Sequence, residues 1–243
     1  MEAYLPETYG EAFSEVYDDL YQEADPKAIE ILADLAGLSP ALELGIGTGR
    51  YALPLQEKGV CVHGVDASPA MLRRLQAKPR GNEIQTTMGS FSETPISGSF
   101  SLVYVVFNTI FALLTQEEQV RCFKNVARLL SPGGCFLIEA FIPDLLHYDG
   151  REEMRRSYFE NGRMQIDITN VNLYQQQIHI NHVILTTSGP QVLPVKMRFA
   201  FPAELDLIAQ LAGLRLRSRW GDWNRSPCTC QSGKHISIYE LNR

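Results

Sequence analysis

The segment Ala41-Leu-Glu-Leu-Gly45-Ile-Gly47-Thr-Gly49-Arg50 places three alternate glycines between an apolar run and a helical pattern. Glycines at that spacing let a chain turn through left-handed conformations and bring its backbone close to a ligand. The N–H groups bared by such a turn, backed by the positive end of the following helix, suit a phosphate or a carboxylate. Asp66 ends the next apolar run, about 20 residues on, where a carboxylate can accept from both hydroxyls of a ribose. Nicotinamide and other adenosine cofactors share that combination. Arg50 separates them, because the dinucleotide fingerprint has a small residue there, where the helix packs closely on the strand under a pyrophosphate. An NAD-linked oxidoreductase is therefore the disfavoured alternative.

The elements that must carry these residues read as stacked strand–helix units. Strands are expected at Ala41–Gly45, Val60–Asp66, Glu83–Met88, Phe100–Phe107 and Gly134–Phe141. Ser68-Pro69 predicts a capped helix through Ala77, and Thr115 with Glu118 forms a capping box for a helix to Leu130. Two earlier helices are expected, Tyr9–Glu23 and Pro26–Ala36. After Phe141 the period changes to two, so Met164–Tyr174, Gln176–Thr187 and Val192–Phe201 read as antiparallel strands with one covered face. A helix from Pro202 to Ala212 and strands at Leu214–Trp223 and Lys234–Leu241 close the chain. The fold class is α/β: a doubly wound, Rossmann-like sheet of seven strands, with a three-stranded antiparallel insertion after the fifth. Residues 1–243 form one domain, with a cap helix in 1–25 and an inserted lid at 142–201.

The glycine spacing, Gly64-Val-Asp66-Ala-Ser68, Met88-Gly-Ser-Phe91 and Leu129-Leu-Ser-Pro-Gly-Gly134 together resemble a class I S-adenosylmethionine-dependent methyltransferase of the small-molecule type. The resemblance covers about 26–141 and 202–243. It implies S-adenosylmethionine as cofactor, with Gly45, Gly47 and Gly49 under its methionine part and Glu43 organising that loop. It implies Asp66 on the ribose, Ala67, Met71, Ser90 and Phe91 around the adenine, and Phe107 nearby. Phe13-Ser-Glu-Val-Tyr17-Asp-Asp-Leu-Tyr21 is similar to the first helix of sugar N-methyltransferases, whose tyrosines reach the cofactor. Tyr17 and Tyr21 are accordingly candidates for both cofactor binding and catalysis; an amphipathic stripe explains the same spacing.

Methyl transfer is an in-line displacement that the protein aids chiefly by alignment, and a base is needed only where the acceptor keeps its proton at neutral pH. His147, after Pro143-Asp144 beyond the fifth strand, is the first candidate base and acceptor contact; His182 and His235 are others. Related sugar N-methyltransferases can carry a histidine after the fourth strand, whereas Phe107-Asn-Thr-Ile-Phe-Ala has none. Asn108, Arg198 and Trp223 complete the acceptor candidates. The (Asn/Asp)-Pro-Pro-(Tyr/Phe) motif of enzymes acting on nucleic-acid bases is missing, and 22 basic against 28 acidic residues leave a net charge of −6 that repels phosphate backbones. A small-molecule acceptor is expected, with no nucleic-acid or membrane partner, and the apolar face of the insertion allows a homodimer. Five cysteines without a CxxC pair, and only a Cys228-Thr-Cys230 doublet, fit a reducing cytoplasm and no metal site. The longest mostly apolar stretch, Leu102 to Leu114, is too short to cross a bilayer. A cofactor-binding subunit without catalysis is the remaining alternative.

Overall fold

The computed structural model describes residues 4–21, 23–93, 96–144, 153–158, 164–186 and 189–242. Strands β1 (Ala41–Leu44), β2 (Val62–Asp66), β3 (Gln85–Met88), β4 (Phe100–Val105) and β5 (Leu130–Phe141) are parallel, and β10 (Leu214–Trp220) and β11 (Lys234–Leu241) complete the sheet. The order is β3-β2-β1-β4-β5-β11-β10, with β11 antiparallel to both neighbours. Every residue of β1 is buried, as expected of a central strand covered on both faces. Strand order reverses between β1 and β4, so the carboxyl ends of these strands flank the crevice where doubly wound sheets hold ligands.

The helices begin where the capping chemistry places them. Asp25 accepts from Lys27 N ahead of α3 (Pro26–Ala36), and Ser68 accepts from Met71 N ahead of α5 (Pro69–Ala77). Thr115 and Glu118 close their capping box at α6 (Gln116–Leu129). With the short α4 (Ala52–Glu57), α3 and α5 cover one face of the sheet. Helices α6 and α7 (Pro202–Leu211) cover the other, which gives two apolar cores. No helix among the described residues is long and apolar enough to cross a membrane.

Two regions differ from expectation. The single helix anticipated over Tyr9–Glu23 is two short ones, α1 (Thr8–Phe13) and α2 (Tyr17–Leu20). Ser14 Oγ bonds back to the Glu11 carbonyl, and Val16 N tightens to Phe13 O at 3.0 Å, a combination that bends a helix. The break lets Phe13 bury completely while the tyrosines behind it turn toward the glycine loop. The three antiparallel strands of the insertion are present as β7 (Met164–Asn172), β8 (Gln177–Thr186) and β9 (Gly189–Arg198). A fourth strand, β6 (Glu153–Tyr158), pairs with β7. Its sequence, Glu-Met-Arg-Arg-Ser-Tyr, lacks an apolar alternation, as suits a sheet edge. Pro190 and Pro194 lie on β9, the other edge, where a missing N–H is tolerated.

Candidate active site

Gly45, Gly47 and Gly49 all adopt left-handed φ values, of 73°, 55° and 82°. Their reasons for being glycine differ. A Cβ on Gly45 would lie 2.4 Å from Thr109 Cγ2, and one on Gly49 would strike Leu75 Cδ1 at 2.4 Å, whereas one on Gly47 would meet nothing within 4 Å. Gly47 therefore presents backbone to open space, while Gly49 serves the packing of the helices behind the loop. The loop is tied to β2: Gly45 N and Ile46 N donate to Val65 O, and Gly47 N donates to Asp66 Oδ2 at 2.8 Å.

Asp66 also accepts from Ser68 N at 2.9 Å through Oδ1, and burial raises its carboxyl. Each oxygen retains a lone pair for a further donor. Glu43, on the central strand β1 below the loop, accepts from Tyr104 OH at 2.9 Å, and burial pushes its carboxyl up to about 8. Its side of the site is thus close to neutral until a cation arrives. Arg50 lies with its guanidinium carbon 4.5 Å from the Phe107 ring centroid and 5.4 Å from that of Tyr51. Its Nε and Nη1 are buried and unpartnered. Two orphaned cationic donors beside a glycine turn call for an anionic group, because leaving them bare costs on the order of 1–3 kcal/mol.

The N-terminal segment roofs this loop. Tyr9 stacks on Phe13 with centroids 4.4 Å apart, Tyr17 meets Tyr21 at 4.9 Å, and Tyr21 stands against Phe107 at 5.0 Å. Glu11 accepts from Ser68 Oγ and Ala70 N, and Asp18 accepts from Thr48 Oγ1 at 2.6 Å and Lys78 Nζ at 2.9 Å. Burial raises the phenols of Tyr9 and Tyr21 and takes that of Tyr17 to about 12. These tyrosines are neutral dipoles at physiological pH, so Tyr17 and Tyr21 can orient a ligand but do not supply an ionised base.

Under the roof is a cleft of about 110 Å³ lined by Tyr17, Gly45, Gly47, Asp66, Ala67, Met71, Ser90 and Phe91. Most of the expected cofactor-site residues meet there. Tyr9, Thr109 and Leu113 line it too, and sequence reading missed them. Tyr9 carried a signal as the start of the series Tyr9, Phe13, Tyr17, Tyr21, spaced by four residues. Tyr21, Gly49 and Arg50 face an adjoining open cleft of about 1250 Å³.

The acceptor candidates fare differently. His147 lies outside the described residues. Asn108 follows Phe107, and both are left-handed, at φ 66° and 55°. Asn108 Oδ1 accepts from Phe141 N at 2.7 Å, so this side chain locks the ends of β4 and β5 together. Arg198 is buried, with its guanidinium donating to Gln119, Gln176 and Glu204 at 2.7–3.0 Å. That internal network replaces the acceptor role expected of it. Trp223 is likewise core, donating from Nε1 to the buried Glu139 at 3.1 Å, and is no wall of the cleft. His235 is buried within the sheet, bonded to Ser237, and burial lowers it to about 4.

A family model described as "Methyltransferase domain" matches residues 41–134, the span from β1 to the start of β5. The CcbJ methyltransferase from Streptomyces caelestis is 34% identical, covers 99% of this chain and 100% of its own, and superimposes with a TM-score of 0.92. The chain belongs to the S-adenosylmethionine-dependent methyltransferases. This methyltransferase is also 27% identical, over 97% of its length and 98% of the relative's, to the cypemycin N-terminal methyltransferase of a Streptomyces species. CalS10, an amino pentose methyltransferase from Micromonospora echinaspora with S-adenosylmethionine bound, shares the fold at a TM-score of 0.72 and 16% identity, covering 100% of this chain and 99% of that one. The cofactor is S-adenosylmethionine. The site fits it: Gly47 offers open backbone, and Arg50 offers two unpaired donors of the sign that a methionine carboxylate requires.

Proposed function

We propose that this methyltransferase methylates the amine nitrogen of a small natural product, such as an amino sugar or a free peptide terminus. The observation that carries the reading is the approach to the site. The open cleft leading to Tyr21 and Arg50 is lined by Asp18, Glu23, Asp25, Glu30 and Glu57 against only Arg50, Lys58 and Lys78, an acidic funnel that favours a cationic acceptor. Tyr21 lines its inner end and stands against Phe107 behind it, and aromatic faces attract both an ammonium and a sulfonium. The similarity to an N-terminal methyltransferase supports the same nucleophile.

In this reading Asp66 accepts from the ribose hydroxyls through its two remaining lone pairs. Ala67, Met71, Ser90 and Phe91 flank the adenine, and Gly45 and Gly47 pass under the methionine part. Arg50 takes the carboxylate, and Glu43 stabilises the positive end from below. Bound there, the cofactor supplies an electrophilic methyl group; the chain aligns the acceptor and excludes water. Strands β8 and β9 close the acceptor side by packing Ile184, Leu193 and Val195 on the N-terminal roof. The test is a competition between matched amine and alcohol acceptors, glucosamine against glucose and alaninamide against lactamide, with labelled S-adenosylmethionine. Methylation confined to the amines supports the reading, and equal or preferred transfer to the alcohols overturns it.

A further inference from the structure

We propose that Asp167 and His182, opposed on β7 and β8, form the proton acceptor for the amine, an assignment that rests on the amine reading above. Their strands pair Asp167 with His182 in register, so both project from one face. On that face Ile180, Ile184, Leu193 and Val195 pack against Tyr9, Phe13, Tyr17 and Tyr21 of the roof, while Gln165 and Thr169 flank Asp167 on β7. Apolar residues would serve a merely structural contact at least as well, since buried ion pairs contribute little net stability.

The geometry determines where the proton sits. His182 Nδ1 lies 2.6 Å from Asp167 Oδ1, and Gln165 Nε2 donates to the same oxygen at 2.5 Å. A ring nitrogen so close to a carboxylate oxygen carries the hydrogen, with Gln165 Nε2 also 3.0 Å from that nitrogen, so in the uncharged form of the ring the lone pair is on its Nε2. Nε2 has no partner among the described residues. The ring stands edge-on to Phe13 with centroids 5.8 Å apart, under the same roof as the tyrosines. The Asp167 carboxylate also faces Tyr21, whose phenol it helps to raise, and Tyr21 borders both Phe107 and the cleft beside Arg50. Asp167–His182 and the glycine loop therefore look at each other across Tyr21. The titratable neighbours are Asp167 from β7 and Tyr21, Tyr9 and Tyr17 from the roof; β9 presents Leu193, Val195 and Gln191, and on β6 the position in register with Asp167 is residue 155.

An alkyl amine is an ammonium near neutral pH and cannot attack until it loses a proton. In the proposed step one ammonium N–H bond breaks and an Nε2–H bond forms. The ring becomes an imidazolium held by Asp167, and the lone pair freed on nitrogen is the nucleophile. His179, on the exposed outer face of the same strand, is the internal control.

Imidazole ¹⁵N spectra of the full chain loaded with S-adenosylhomocysteine test this directly, because the chain has only five histidines. His182 should show the Nδ1–H tautomer, and glucosamine or alaninamide should shift its Nε2 while leaving His179 unmoved. Asp167→Asn, able to donate to Nδ1, should move the proton to Nε2. With those amines as acceptors, His182→Gln should slow turnover by about 10²–10⁴-fold and remove the acid limb of the pH–rate profile, with cofactor affinity unchanged. His179→Gln should do neither. An Nε2–H tautomer in the unaltered protein, spectra unmoved by both amines, or undiminished turnover in His182→Gln would overturn the assignment. Failure of the amine reading shows separately, as methylation of the alcohols in place of the amines by the unaltered protein.

Discussion

Replacing Glu43 with Gln should change how stability depends on pH. Glu43 is wholly buried, and its carboxyl titrates near 8 in the folded chain against an ordinary value of 4.5. Between those values the folded state holds a proton that the unfolded state has released. The stabilisation is therefore complete below about pH 4.5 and is lost as pH rises through 8. At about 1.4 kcal/mol per pH unit, the loss between pH 5 and pH 8 is roughly 4 kcal/mol from this residue alone. Gln preserves the shape and can still accept from Tyr104 but does not titrate. Urea denaturation of both proteins at intervals across that range isolates the effect, since every other group titrates in both. The unaltered protein should lose about 4 kcal/mol relative to Glu43→Gln on going from pH 5 to 8, and S-adenosylmethionine, bringing positive charge, should shrink that difference. Parallel curves would show that Glu43 is ionised throughout and would refute the neutral-site reasoning.

Asp66→Ala should weaken S-adenosylhomocysteine binding by on the order of 1–3 kcal/mol by calorimetry, because ribose hydroxyls would be left unpaired; unchanged affinity would remove the ribose assignment. Arg198→Met should destabilise folding by about 3–5 kcal/mol, by stranding Glu204 in its network, yet leave cofactor affinity intact; a normal melting curve with lost acceptor binding would return Arg198 to the acceptor site. Asp18→Asn should cost under about 1 kcal/mol of stability, since its Lys78 bridge is partly exposed, but should speed cofactor dissociation in stopped flow by loosening the roof from Thr48.

The cofactor half of the site was readable from sequence because its demands are local. Gly45 and Gly47 are dictated by left-handed backbone, Asp66 by its place at a strand end, and the starts of α3, α5 and α6 by side chains two or three residues from the N–H groups they cap. The acceptor half depends on contacts between distant segments. Arg198 reads as a strand residue until Gln119, 79 positions away, is seen to bond it, and Trp223 looks like a wall until Glu139 accepts its indole N–H. The split of the cap into α1 and α2 hangs on burying Phe13 under the inserted sheet, which no periodicity within residues 9–23 reveals. Pairing of Asp167 with His182 follows from cross-strand register, set by the turn at Gln176, whose φ is 54°. A one-residue slip would have turned the pair apart.

Methyl transfer to an amine is measured most directly on the product. The full chain would be incubated with S-adenosylmethionine carrying a trideuterated methyl group and with glucosamine or alaninamide, and the product sequenced by tandem mass spectrometry. The label should sit on nitrogen and should be lost in an otherwise folded Asp66→Ala protein at limiting cofactor. Label on oxygen or carbon, or no transfer to either amine while a matched alcohol is methylated, would contradict the amine reading.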